Sequence, residues 1–132
     1  MAWTTPRTWT TDETWLAEYG NTHIRDNFNF LKTNIALGAA SELTISGGVV
    51  TKTQSYHTID TESDGATDDL DTINGGAAGD ILIVRPAHTD RTVVLKDGTG
   101  NLDLDADVTL DSTETLCVLL FDGTNWQKIV AR

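Results

Sequence analysis

Two hydrophobic rhythms divide this chain. From about residue 43 onward, apolar side chains recur at every second position in short runs, each closed by a turn signal. A period of two sends neighbouring side chains to opposite faces of a strand. The runs cover residues 43–46, 49–53, 55–62, 69–73, 81–85, 91–96, 101–110, 115–121 and 125–130. Gly47-Gly48, Asp64-Gly65, Asn74-Gly75-Gly76, Pro86, Asp97-Gly98 and Asp122-Gly123 punctuate them. Short strands at such spacing predict a sandwich or barrel, and the two-glycine turn at 47–48 predicts a hairpin. There is no alternation of strands with helices, so a parallel α/β fold is excluded.

Three runs say more than strand. Residues 101–111 alternate without a fault, with Leu102, Leu104, Ala106, Val108 and Leu110 on one face and Asp103, Asp105 and Asp107 on the other. Residues 81–84 and 116–121 are apolar on both faces. A strand of that kind needs cover on its second side, from the N-terminal helix or from a neighbouring subunit.

Before residue 41 the pattern changes. Residues 1–11 read as an extended, Thr-rich arm. Asp12 can cap a short helical turn through Trp15, Leu16 and Tyr19, which Gly20 is expected to end. Asn21 is the candidate cap of a second helix reaching about residue 34. Along it Ile24, Phe28, Leu31 and Ile35 are spaced 4, 3 and 4, the seam of a coiled coil. The seam spans about two heptads, and helices this short are marginal alone. It can pack on the chain's own β region or on symmetry mates. The expected architecture is therefore mainly β: an N-terminal arm and short helix, residues 1–40, then an antiparallel β-sandwich or barrel, residues 41–132. Gly38-Ala39-Ala40-Ser41 is the joint.

Composition narrows the function classes. The 132 residues carry 20 acids against nine bases, a net charge of −11. Nucleic-acid affinity comes largely from cations neutralising phosphates, so a nucleic-acid partner is not expected, nor is an anionic membrane surface. Such acidity with only four Lys also suits salt-rich surroundings, where self-repulsion is screened. The 22 Thr favour strands. The single cysteine allows no internal disulfide. No apolar run approaches the roughly 20 residues of a membrane span, and the first residues lack the basic and apolar regions of a signal peptide.

Candidate chemistry is sparse. His23, His57 and His88 fall in no catalytic or zinc spacing, and Cys117 sits inside an apolar strand. Asp97-Gly98-Thr99-Gly100-Asn101 lacks the Lys and helix of a phosphate loop. No catalytic residue and no cofactor is expected. Carboxylates cluster at Asp64, Asp68, Asp69 and Asp71 and again at Asp103, Asp105 and Asp107. Alternate strand positions lie about 7 Å apart, too far for one ion to bridge easily. Both clusters read as solvated acidic faces that deter edge pairing, with no metal. Trp126 is expected to pack across its hairpin on Phe121 rather than to stack on a sugar. The arm holds Trp3, Trp9 and Trp15, with Tyr19 just beyond. Aromatics of this kind dominate interface hot spots, and they precede any strand that could shelter them, so they are the candidate docking residues.

Two stretches resemble a known class. Thr8-Trp9-Thr10-Thr11-Asp12-Glu13, continuing to Asn21-Thr22-His23-Ile24-Arg25-Asp26-Asn27-Phe28-Asn29-Phe30-Leu31-Lys32, resembles the start of small structural proteins of tailed viruses. There the pattern is roughly W-T-x-G-x-x-(V/L)-T, a short gap, then N-x-x-(I/V)-R-D-N-(L/F)-x-x-L. Asp12 departs from it by replacing the usual glycine. The strand region, with Gly79-Asp80-Ile81-Leu82-Ile83 and Leu120-Phe121-Asp122-Gly123-Thr124-Asn125-Trp126, resembles the β modules of virion decoration proteins, head fibres and tail fibres. The resemblance implies a trimeric, non-enzymatic virion component, assembled in the host cytoplasm and docked on the major capsid protein or another virion protein. The short chain suits a capsid decoration or head-fibre protein. The alternative is a tail-fibre or tail-tip protein that recognises a host-surface glycan. In the trimer, Ile24, Phe28, Leu31 and Ile35 would form the subunit interface.

Overall fold

The computed structural model describes residues 16–28 and 37–129, and before them Thr5, Thr8, Thr10 and Thr14. Contacts within the chain separate two compact units, Met1–Leu37 and Gly38–Arg132.

In the first unit a helix starts with α1, Ala17–Tyr19, after an extended Leu16. It does not stop at Gly20, where the sequence predicts an end. Gly20 keeps right-handed helical angles, φ −62° and ψ −38°, and donates its N–H to the Ala17 carbonyl. A glycine that ends a helix typically adopts the left-handed conformation itself, and one inside a helix is tolerated at about 1 kcal/mol. The helix instead loosens into a π-helical stretch, Gly20–Arg25, past which the Asp26 N–H reaches back to the Asn21 carbonyl. α-Helical bonding resumes through Phe28. The expected Asp12 cap and the helix beyond residue 28 lie outside the described residues.

The second unit is mainly β. Its strands are β1 Ser41–Thr44, β2 Val49–Thr51, β3 Tyr56–Asp60, β4 Thr67–Leu70, β5 Thr72–Asn74, β6 Ile81–Pro86, β7 Thr92–Leu95, β8 Leu102–Asp103, β9 Val108–Leu110, β10 Cys117–Phe121 and β11 Trp126–Lys128. They form a six-stranded sheet in the order β1-β3-β6-β10-β11-β8, a three-stranded sheet β4-β7-β9 and a two-stranded sheet β2-β5.

The pairing corrects the antiparallel expectation. Among the described residues, β1 with β3, β3 with β6, β2 with β5, β4 with β7 and β8 with β11 are all parallel. Only β6 with β10, β10 with β11 and β7 with β9 are antiparallel. The chain therefore coils. Each pass lays a strand beside one from the pass before, with Ser41 against His57, Tyr56 against Ile83, Val49 against Thr72 and Thr67 against Thr92. The last strands turn back antiparallel on β6 and β7. The sheets are mixed and the arrangement is β-solenoid-like. Parallel strands need a long crossover, commonly a helix. Here strands on the other faces of the coil make the crossover, so no helical signature marks it.

Two local expectations change for the same reason. Gly47 and Gly48, at φ +57° and +78°, do close a tight turn bridging Ser46 and Val49. The strands they join then leave for different sheets instead of zipping into a hairpin. The faultless alternation at 101–111 is also two strands rather than one. The chain turns a corner at Asp105, whose φ is +74°, between β8 and β9. Leu102, Leu104 and Leu110 stay inward and buried on either side of the corner, whereas Ala106, expected on the same face, is exposed at the corner itself.

The three sheets share one core. Ile59, Leu82, Val84, Leu119 and Trp126 enter it from the six-stranded sheet, Val50 and Ile73 from the two-stranded one, and Leu70, Val93, Leu95 and Leu110 from the third. The Trp126 ring packs on Phe121 with centroids 4.9 Å apart at 45°, as its hairpin predicts.

An amide side chain completes the two-stranded sheet. Asn101 accepts the Ile73 N–H through Oδ1 at 2.9 Å and donates Nδ2–H to the Ile73 carbonyl at 2.9 Å. It thus mimics a third strand beside β5. Gly100, at φ +51°, permits the approach, since a Cβ there would collide with Thr72 Oγ1 and the Asp71 carbonyl. Asn101→Ala leaves the N–H of buried Ile73 without an acceptor, an expected loss of about 1–3 kcal/mol. The check is the guanidinium midpoint at unchanged slope. An unshifted midpoint would refute the role.

Candidate functional site

Several polar residues that could carry chemistry hold corners of the coil instead. His57, on β3, is fully buried. Its Nε2 accepts the backbone N–H groups of Thr53 at 3.1 Å and Gln54 at 3.2 Å. A nitrogen that accepts twice carries a lone pair, so the proton is assigned to Nδ1. Nδ1 lies 2.9 Å from both the Ser41 carbonyl and Ser41 Oγ on β1. The ring ties the first pass of the coil to the second. Burial pushes the Cys117 thiol above its ordinary value, with Lys128 acting weakly against it. A thiol so placed is a poor nucleophile.

The acidic clusters are joined differently from the expectation. Asp68 Oδ2 accepts the Glu62 N–H at 2.7 Å, and Asp71 Oδ1 accepts the Thr99 hydroxyl at 3.0 Å. Asp107 pairs with Lys96 and accepts the Asp97 N–H at 2.8 Å, while Asp97 accepts the Leu104 N–H at 2.6 Å. These carboxylates close turns, and Asp97 stands directly before a glycine, Gly98. Asp103, Asp105 and Asp107 do not line one strand, because the corner at Asp105 separates them. Among the described residues no group of three or more His, Cys, Asp or Glu side chains is placed to hold a metal ion.

One corner carries a buried charge that the sequence did not disclose. Asp60 ends β3 with its side chain 9% exposed. Oδ2 accepts from Arg91 Nη1 at 2.7 Å, and Oδ1 accepts the Thr61 N–H at 2.9 Å. The same Arg91 nitrogen reaches Asp64 at 2.8 Å. Ser63 and Asp64, both at positive φ, shape the tight loop that presents Asp64. Burial pushes the Asp60 carboxyl up, but the Arg91 hydrogen bond, the Thr61 N–H and the charges of Arg91 and His88 outweigh it. The carboxyl is held below its ordinary value. Its contribution to stability is therefore full above the unfolded value of about 3.9 and is lost as pH falls through the lower folded value. Asp60→Asn is expected to be less stable at neutral pH and to lose less on acidification. Thermal melts across that range check this, and equal pH slopes would contradict it.

What remains open on the surface is apolar. On the helix, Ile24 is 43% and Phe28 67% exposed. Tyr19 is half-buried, its ring 6.5 Å from that of His23. Trp3, Trp9, Trp15, Leu31 and Ile35 lie outside the described residues. In the β unit, the outward side of the six-stranded sheet is apolar across its middle. Tyr56 lies against Ile83 and Ile83 against Val118, and the Ile129 N–H donates to the Val118 carbonyl. Those four residues make one row across β3, β6 and β10 to the residue that follows β11. Ile81 and Leu120, register partners, stand on one side of the row, and Leu116 on the other. Ile81, Leu116 and Ile129 are about half exposed or more. Strands apolar on both faces thus have one face in the core of the β unit and, on the other, the exposed side chains of Ile81 and Leu116.

Among the described residues no helix is long and apolar enough to cross a membrane. Comparison of the chain with protein-family models, with curated proteins and with solved structures finds no match.

Proposed function

We propose that this chain is a structural protein of a tailed-virus particle: a non-enzymatic homotrimer that decorates the capsid or forms a short head fibre. It docks through its N-terminal region on the major capsid protein or another virion protein. The observation that carries the reading is the open apolar stripe on the helix, where Ile24 and Phe28 stand 43% and 67% exposed. That stripe lies in the segment whose sequence resembles the N-terminal motif of small virion proteins. A large aromatic left in water on a short helix is a contact surface waiting for a partner. The other features suit the role. A coil closed by side-chain caps is a rigid spacer, and an acidic outer unit stays soluble and off packaged genome.

Quantitative mass spectrometry of purified particles tests the reading. Hundreds of copies of this chain per particle are expected for a decoration protein. A handful would make it a tail-fibre or tail-tip protein, to be probed for glycan binding. Absence from the particles would overturn the proposal.

A further inference from the structure

The outward face of the six-stranded sheet has the anatomy of a subunit interface. Its centre is the row Tyr56, Ile83, Val118 and Ile129, with Ile81 and Leu116 beside it. Its rim is acidic. Glu42, partner of Thr58, stands on outermost β1, and Asp103, partner of Gln127, on outermost β8. The four strands between present no carboxylate along these rows. Two further outward acids lie at strand ends: Asp60, neutralised by Arg91 at 2.7 Å, and exposed Asp122, just past β10, whose Oδ2 accepts from Gln127 Nε2 at 3.2 Å. Arg85 lies flat, its guanidinium 5.8 Å above the Tyr56 ring, so the plane is not broken by an upright charge. An apolar centre within a polar rim is how protein interfaces are built.

We propose that this face is covered by the same face of neighbouring copies of the chain, gathered about the axis of the trimer; the inference rests on the trimeric reading above. Charge selects the occupant. A chain at −11 repels its own copies wherever carboxylates meet. A copy is therefore the partner for which an acid-free plane is required. A basic partner would be drawn to the acidic remainder of the surface, and an acidic one repelled by it. Area sets the second condition. Four strands about 4.8 Å apart and five residues at about 3.3 Å make a plane of roughly 300 Å². A stable interface covers about 800 Å² per partner. The face therefore shares the work with the stripe of Ile24 and Phe28, and neither holds the trimer alone.

The test substitutes residues that the isolated fold leaves in water. Ile81 and Leu116 are 49% and 58% exposed, so Ile81→Asp with Leu116→Asp is compatible with the folded β unit. The full-length variant is expected to keep its circular dichroism spectrum and to dissociate to monomer at least about tenfold more readily on dilution, read by light scattering. The central substitution Ile83→Asp should do the same more strongly. A variant that keeps the dilution profile of the unmodified chain overturns the proposal. If that variant stays trimeric while Phe28→Asp dissociates, the face is wrong and the helix stripe stands. If the unmodified chain is a monomer at every concentration, both fall. A face-dependent trimer missing from virus particles supports the face and overturns only the virion reading.

Discussion

Replacing Trp126 with alanine is expected to unfold the β unit at ordinary temperature or bring it close to that point. The side chain is fully buried where the sheets meet. Its ring packs on Phe121 at 4.9 Å, and its Nε1 donates to the Ile73 carbonyl at 3.0 Å. Gly76 is shaped to it, since a Cβ there would stand 2.9 Å from the ring. Phe or Trp to Ala in a core costs about 3–5 kcal/mol. Small domains hold only about 5–15 kcal/mol in total. Trp126→Phe keeps much of the packing and loses the hydrogen bond, so its loss should be smaller. Guanidinium melts of the three proteins rank them. A midpoint for Trp126→Ala close to that of the unmodified chain would show that the core does not depend on this residue.

The second large effect is on docking. Deleting residues 2–11 should leave the β unit folded, because Gly38–Arg132 is a compact unit with its own core. Association with the virion shell or tail should be abolished. The deletion removes Trp3 and Trp9, half of the four tryptophans in the chain. An extended Thr-rich segment can add to a sheet edge of its partner, and its aromatics then fill pockets there. Co-sedimentation with particles measures the loss, and circular dichroism confirms the fold. Unfolding or aggregation of the truncated protein would make the arm part of the core and move the docking surface elsewhere.

Both predictions draw on features with unequal visibility in the sequence. The strands were legible because period two and the glycine turns are local signals. The Gly47-Gly48 turn and the packing of Trp126 on Phe121 are read directly from neighbouring residues. The direction of pairing was not legible. A hairpin and a coil corner share the same alternation and the same turn residues, so Asn101–Asp111 reads as one strand when it is two. Gly20 misled for a related reason. A glycine permits a helix end without requiring one, and the π-helical turn that follows has no residue signature.

The polar corners were hidden more deeply. His57, Asn101 and the Asp60–Arg91 pair each act across a long stretch of sequence, which only the coil brings together. Asn101 offered one clue, an amide directly after a glycine and directly before a buried leucine. Asp60 offered none, since the run read at 55–62 passes straight through it. Apolar surplus was the clearest long-range signal. Residues 81–84 and 116–121 are apolar on both faces, and they pair with each other in the six-stranded sheet.

Light scattering on the full-length chain across a dilution series decides whether the chain is a trimer. A species of three times the 14.3 kDa chain that gives way to monomer as concentration falls is expected. A chain that remains monomeric at the highest concentration would contradict it.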